Sequence, residues 1–152
     1  MDGSRQHASP SGEPDSGPSP SASDLADIVL MLVIIELTAA TAWIHFSLGG
    51  LLFTLNGLGY VVILVAYLLS VTAPLAIVQR FDWLPRLGLT AYTLVTIGAY
   101  LVIGPYFALG WITKAIEVAM IGLLVADLLI AYGGLRGLRL AVLGSFMGTR
   151  HA

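Results

Sequence analysis

Glu36, His45, Asn56, Tyr100, Lys114 and Glu117 are the residues of this chain whose types could do chemistry, and all of them sit inside long apolar runs. An ionisable group in hydrocarbon costs about 2.5–3.5 kcal/mol on insertion scales, so it turns toward protein or water and marks a pair or a site. Lys114 and Glu117 are three apart, which puts them on one helix face and lets them pair directly. Thr38, Thr41 and His45 recur at the spacing of one helix side. Glu36 and His45 are nine apart, nearly opposite around the same helix, and are not expected to face one cavity.

Depth sorts these groups. At ~1.5 Å per residue, His45, Asn56, Tyr100, Lys114 and Glu117 fall within ~10 Å of one boundary of the apolar layer, and they come from four different segments. Two readings of this cluster stay open. In the structural one, Lys114 neutralises Glu117 or snorkels to water, while Asn56 and Tyr100 add hydrogen bonds between helices. In the functional one, the five line an outward-open polar pocket for a small molecule, lipid headgroup, quinone or ion. A site completed by a partner subunit is a third arrangement. Glu36 belongs to a deeper layer with Tyr60 and Thr96 and is the candidate intramembrane proton site. Asp127 sits apart near the opposite boundary, where it is expected to be solvated.

Other chemistry is set aside. The chain has no cysteine, which removes disulfides, thiolate nucleophiles and thiolate metal sites. His7 and His151 lie outside the apolar runs, so bis-histidine haem within one subunit is unsupported. Only His45 and Glu117 are expected close enough to share a zinc ion, which is too few ligands. There is no P-loop, and Gly57-Leu58-Gly59 lies in an apolar helix where it reads as packing. No serine stands at a depth suited to a triad. No catalytic residue, metal or cofactor is therefore expected.

The elements that position these groups follow from composition. Of 152 residues, 57% are hydrophobic and 11% charged, and mean hydropathy is +0.89. Soluble domains carry about 25% charged residues, so lipid is the expected solvent. Residues 1–23 are rich in Ser, Pro and Gly and read as a disordered cytoplasmic tail, not a signal peptide. Ser23 is the expected N-cap of the first helix. Apolar spans are expected at about 26–46, 51–71, 87–104 and 111–132, each close to the ~20 residues that cross ~30 Å of hydrocarbon. Ser47 to Gly50 form the first turn, Pro74 opens a loop over 72–86, and Gly104-Pro105 and Gly133-Gly134 stop the last two spans. Ala115, Ala119, Gly122 and Ala126 make a small-residue stripe that allows close helix approach. Residues 135–152 form a short tail whose Arg136 and Arg139 among leucines suggest an interfacial helix.

Four spans put Arg5, Arg80, Arg86, Arg136, Arg139 and Arg150 on one side and Lys114, the single lysine, on the other. The positive-inside rule then places both termini in the cytoplasm of a multi-pass cell-membrane protein. Trp43, Tyr106 and Trp111 fall near the outer helix ends and Phe81, Trp83 and Tyr132 near the inner ends, as two aromatic belts require.

Ile44-His45, Leu55-Asn56-Gly57-Leu58-Gly59-Tyr60, Tyr92-Thr93 with Thr96, and Thr113-Lys114-Ala115 with Glu117 together resemble a family of small, uncharacterised four-helix membrane proteins of prokaryotes, including haloarchaea. The resemblance covers about 26–132. It implies the four-span architecture and brings no activity with it.

The sequence thus predicts an all-α fold, a four-transmembrane-helix antiparallel bundle with a disordered N-terminal tail. The expected role is a non-enzymatic binding, sensing or accessory subunit. The alternative is a membrane-embedded enzyme or proton-coupled carrier built on the polar cluster, which with only four helices would require a homodimer. Expected partners are the lipid bilayer and a second copy or a partner membrane subunit. Nucleic acid is not one, since the net charge is −2 and no basic patch exists.

Overall fold

The structure is a computed structural model that describes residues 21–104 and 106–147. The first twenty residues, which carry most of the expected disordered tail, lie outside the described residues, as do Pro105 and 148–152. Among the described residues six helices follow in order: α1 Ala22–Leu48, α2 Leu51–Thr72, α3 Ala76–Arg80, α4 Trp83–Ile103, α5 Ala108–Tyr132 and α6 Leu135–Met147.

Each boundary has a local cause. The helix cap is Ser21, two residues before the expected Ser23. Its hydroxyl accepts the Asp24 N–H at 3.2 Å while the Asp24 carboxylate accepts the Ser21 N–H at 2.9 Å, and this reciprocal box decides the start. Gly49 and Gly50, with φ of +69° and +82°, reverse the chain into α2. Pro74 forces the residue before it out of helical geometry, and Ala73 is extended. The expected loop over 72–86 instead contains α3, and α4 begins at Trp83, so Arg86 rides on a helix. Pro85 fits there because a first-turn residue has no N–H bond to lose. At the end of α5 the Gly134 N–H reaches Leu129 O at 2.8 Å and the Gly133 N–H reaches Ile130 O at 3.3 Å, a Schellman stop.

The four long helices form a ring. α1 packs on α2 and α5, and α4 packs on the same two, so α1 and α4 stand diagonally. Ile34, Ala42, Tyr60, Tyr67, Leu89, Met120 and Leu124 fill the centre. Close approach comes from Gly57, where a Cβ would meet the Ala42 carbonyl and Phe46 ring, and from Gly59, which lies under the Tyr92 hydroxyl. The Ala115–Ala119–Gly122 stripe serves no such purpose in the bundle: it faces outward, and a Cβ at Gly122 would meet nothing.

The exterior is apolar. Leucine, valine and isoleucine cover the outward faces of all four long helices, whose central windows have mean hydropathy between 1.5 and 2.1. Water would oppose such a surface and hydrocarbon would not, and each backbone polar group inside these helices is satisfied within its own segment. The four helices are long and apolar enough to cross a bilayer and fit a multi-pass membrane protein.

Candidate functional site

At the end of the bundle that carries the Gly49–Gly50 turn, all four long helices turn polar side chains inward. Glu117 of α5 is fully buried, and its Oε2 accepts from Lys114 Nζ at 2.6 Å and from the Thr96 hydroxyl of α4 at 3.1 Å. Lys114 also reaches the Thr96 carbonyl at 3.4 Å and lies 5.4 Å from the centre of the Tyr100 ring. Lys114 is therefore held inside and does not snorkel out. Thr96 has two acceptors for its one hydrogen, Thr93 O at 2.9 Å and Glu117, which leaves Tyr60 as the donor in their 2.9 Å contact.

His45 closes the cluster from α1. Its Nδ1 is 2.8 Å from the Thr41 carbonyl, which can only accept, so Nδ1 carries a hydrogen. Its Nε2 then faces Glu117 Oε1 at 3.9 Å, too far for a hydrogen bond. In a neutral ring these are two acceptors facing each other. Among the described residues, the buried side-chain polar atoms without a partner are Glu117 Oε1, Tyr100 OH and Thr41 Oγ1, and all three belong to this end.

Above the cluster lies a cavity of about 300 Å³. His45, Asn56, Tyr92, Thr96, Tyr100 and Lys114 contribute its polar wall. Glu117 does not line it but lies behind Lys114 and Thr96. The exposed lining residues Leu52 and Leu55 of α2 and Val95 and Ile103 of α4 mark a lateral mouth between those two helices. Asn56 is held by Tyr92, whose hydroxyl donates toward its Oδ1 at 2.8 Å and its carbonyl at 3.1 Å. Tyr100 stands edge-on to Tyr106 and Trp111 and packs its hydroxyl against Gly110, where any larger residue would collide with it.

The five residues expected to form a pocket are thus brought together, four as lining and Glu117 as the buried anchor. Glu36 is not among them. It is exposed on the opposite side of α1 from His45, as the nine-residue spacing requires, and does not join Tyr60 and Thr96. Tyr92 as the holder of Asn56 was not anticipated, although its spacing of four and eight from Thr96 and Tyr100 places the three on one face.

The other end of the bundle corrects the expectation for Asp127. It is not simply solvated: its Oδ2 accepts from Arg86 Nε at 2.8 Å, with only 16% of the Asp127 side chain exposed. Arg86 also contacts Asp82 at 3.4 Å and stacks over the Tyr67 ring, and Tyr132 donates to the other Asp82 oxygen at 2.5 Å. α6 is tied back to the same end, since Arg80 donates to the Ser145 carbonyl and Trp83 Nε1 to the Ser145 hydroxyl at 3.3 Å. The signal for this cluster was present in the sequence: Arg86 and Asp127 carry opposite charge at matching depth on successive antiparallel helices.

Fold and site together define a four-helix apolar bundle with a mostly apolar, side-opening cavity that ends on polar groups at one end and an ion-paired clamp at the other. No protein-family model, curated protein or solved structure matches the chain.

Proposed function

We propose that the protein is a non-enzymatic binding subunit of the membrane that holds a small, lipid-soluble ligand in the cavity between α2 and α4. One observation carries this: a cavity of about 300 Å³ with a mouth bordered by lipid-facing residues ends on Lys114 and on the buried Tyr100 hydroxyl, which the fold leaves unpartnered. Natural proteins pair nearly all buried polar atoms, so an unpartnered hydroxyl in the wall of a cavity calls for a reason, and a ligand that supplies its partner is one. The ligand that fits is largely apolar, with a polar head that meets Lys114 and Tyr100.

The arginine-rich end faces the cytoplasm in this reading, and the cavity lies in the outer half of the bilayer. Reporter fusions after residue 48 then read the outside and one at residue 80 the inside. An inside signal at 48 reverses the assignment. The membership in a prokaryotic four-helix family expected above rests on the residue runs alone.

Ala99 lines the cavity, and Ala99→Trp fills it. Protein purified in mild detergent yields a bound molecule on organic extraction and mass spectrometry. Ala99→Trp loses at least nine-tenths of it with its unfolding temperature unchanged. Equal extracts from both proteins overturn the proposal.

A second reading, a proton-coupled carrier or membrane-embedded enzyme, draws on the 3.9 Å approach of His45 Nε2 to Glu117 Oε1, two titratable groups that face each other beside the same cavity. Proton uptake coupled to ligand entry, lost in Glu117→Gln with the ligand still bound, distinguishes it.

A further inference from the structure

Glu36 has no part in the cavity or in the clamp. It lies one residue from the midpoint of α1, the depth at which a bilayer is driest. The positions that share its face, Val29, Leu32, Val33, Ala39, Ala40 and Trp43, are all exposed and uncharged. Beyond the helix cap, the polar side-chain contacts of α1 are those of Thr38, His45 and Ser47, so among the described residues nothing reaches the Glu36 carboxyl. A lone carboxyl aimed into hydrocarbon is costly and calls for a partner outside the subunit.

The choice of partner follows from what the rest of the surface offers. Among the described residues, the exposed positions in the central turns of α2 are Leu55, Leu58, Val62 and Val65. Those of α4 and α5 are likewise alanine, leucine, valine or glycine. None of these faces on another copy could receive Glu36. The α1 face can, because a carboxylic acid is both donor and acceptor and so complements itself. A two-fold axis along the membrane normal also sets every residue at the depth of its own copy, so the two carboxyls meet without any further adjustment. Ala39 and Ala40, one turn away, let the two backbones come close.

We infer that a second copy of this chain packs against the outward face of α1, with the two Glu36 carboxyls hydrogen-bonded across a two-fold axis. The interface is independent of the ligand-binding reading: the exposed residues at the cavity mouth lie on α2 and α4, and α4 stands diagonally across the bundle from α1.

The absence of cysteine makes the test clean. Leu32→Cys and Ala40→Cys are introduced singly into the full chain and oxidised in native membranes, with Val118→Cys on α5 as the control. The expected result is a disulfide-linked species of twice the 16.1 kDa chain mass from positions 32 and 40 and not from 118. In the Ala40→Cys background, Glu36→Leu lowers that yield at least tenfold, whereas Glu36→Gln, whose amide also donates and accepts, retains it. Yields at 32 and 40 no higher than at 118, or unchanged by Glu36→Leu, overturn the inference. So does a cross-linked band of any mass other than twice the chain, which identifies a foreign subunit instead.

Discussion

The two ends of the bundle use similar residues to opposite effect. At the end where α6 folds back, Arg86 lies between Asp127 and Asp82, Tyr132 takes the remaining Asp82 oxygen, and no buried polar side-chain atom is left over among the described residues. At the turn end Lys114 satisfies only one oxygen of Glu117, and the other oxygen, the Tyr100 hydroxyl and the Thr41 hydroxyl find nothing. A closed network rigidifies what it joins, and an incomplete one carries the cost of its unpaired buried groups. The clamp therefore joins α4 to α5 near the loop, while the turn end is the place where buried polar atoms go unpartnered.

Substitutions can break that contrast, beginning with the clamp. Arg86→Met removes the cation and leaves two carboxylates facing each other in a site where the Arg86 side chain is 10% exposed. Loss of one partner from a buried pair costs about 3–5 kcal/mol, so thermal unfolding in detergent should show a large loss of stability, which Asp127→Leu added to Arg86→Met partly restores. A small effect would mean that the clamp is ornamental and the contrast false.

Lys114→Met and Glu117→Gln come next, at about 2 kcal/mol each, since the Thr96 hydroxyl still donates to the side chain at 117. Structural glue predicts that the double substitution recovers wild-type stability with the cavity still occupied. A binding site predicts that either single change empties the cavity and that the double change leaves it empty. Ala99→Trp stands last, with no expected effect on unfolding and a full effect on occupancy. That separation of stability from binding is what the comparison of the two ends requires.

Much of this was legible from residue types. Long apolar runs broken by Gly49-Gly50, Pro74, Gly104 and Gly133-Gly134 announce the helices, and depth counting collects His45, Asn56, Tyr100, Lys114 and Glu117 at one end. The spacing of Glu36 and His45 foretold that they part company. The pairing of Arg86 with Asp127 is not legible there, because Pro74 makes 72–86 read as loop and so sets the arginine off the helix. Ser21 and Ser23 are both competent N-caps by residue type, and only the reciprocal bond with Asp24 puts the cap at Ser21, two residues before the expected Ser23.

The sequence by itself determined the helices and their apolar character. Hydropathy over ~20-residue lengths is a property of the chain, and in lipid a chain of that kind has helices as its solution. Which polar atoms meet, and which meet nothing, was decided only when four helices took up their rotations about their own axes. A rotation of one position, 100° on a helix, would turn Glu117 outward and leave the pattern of apolar runs untouched. The unpartnered Glu117 Oε1 and the outward-facing Glu36 are therefore set by packing, by how Ile34, Tyr60, Leu89 and Met120 fit one another at the centre.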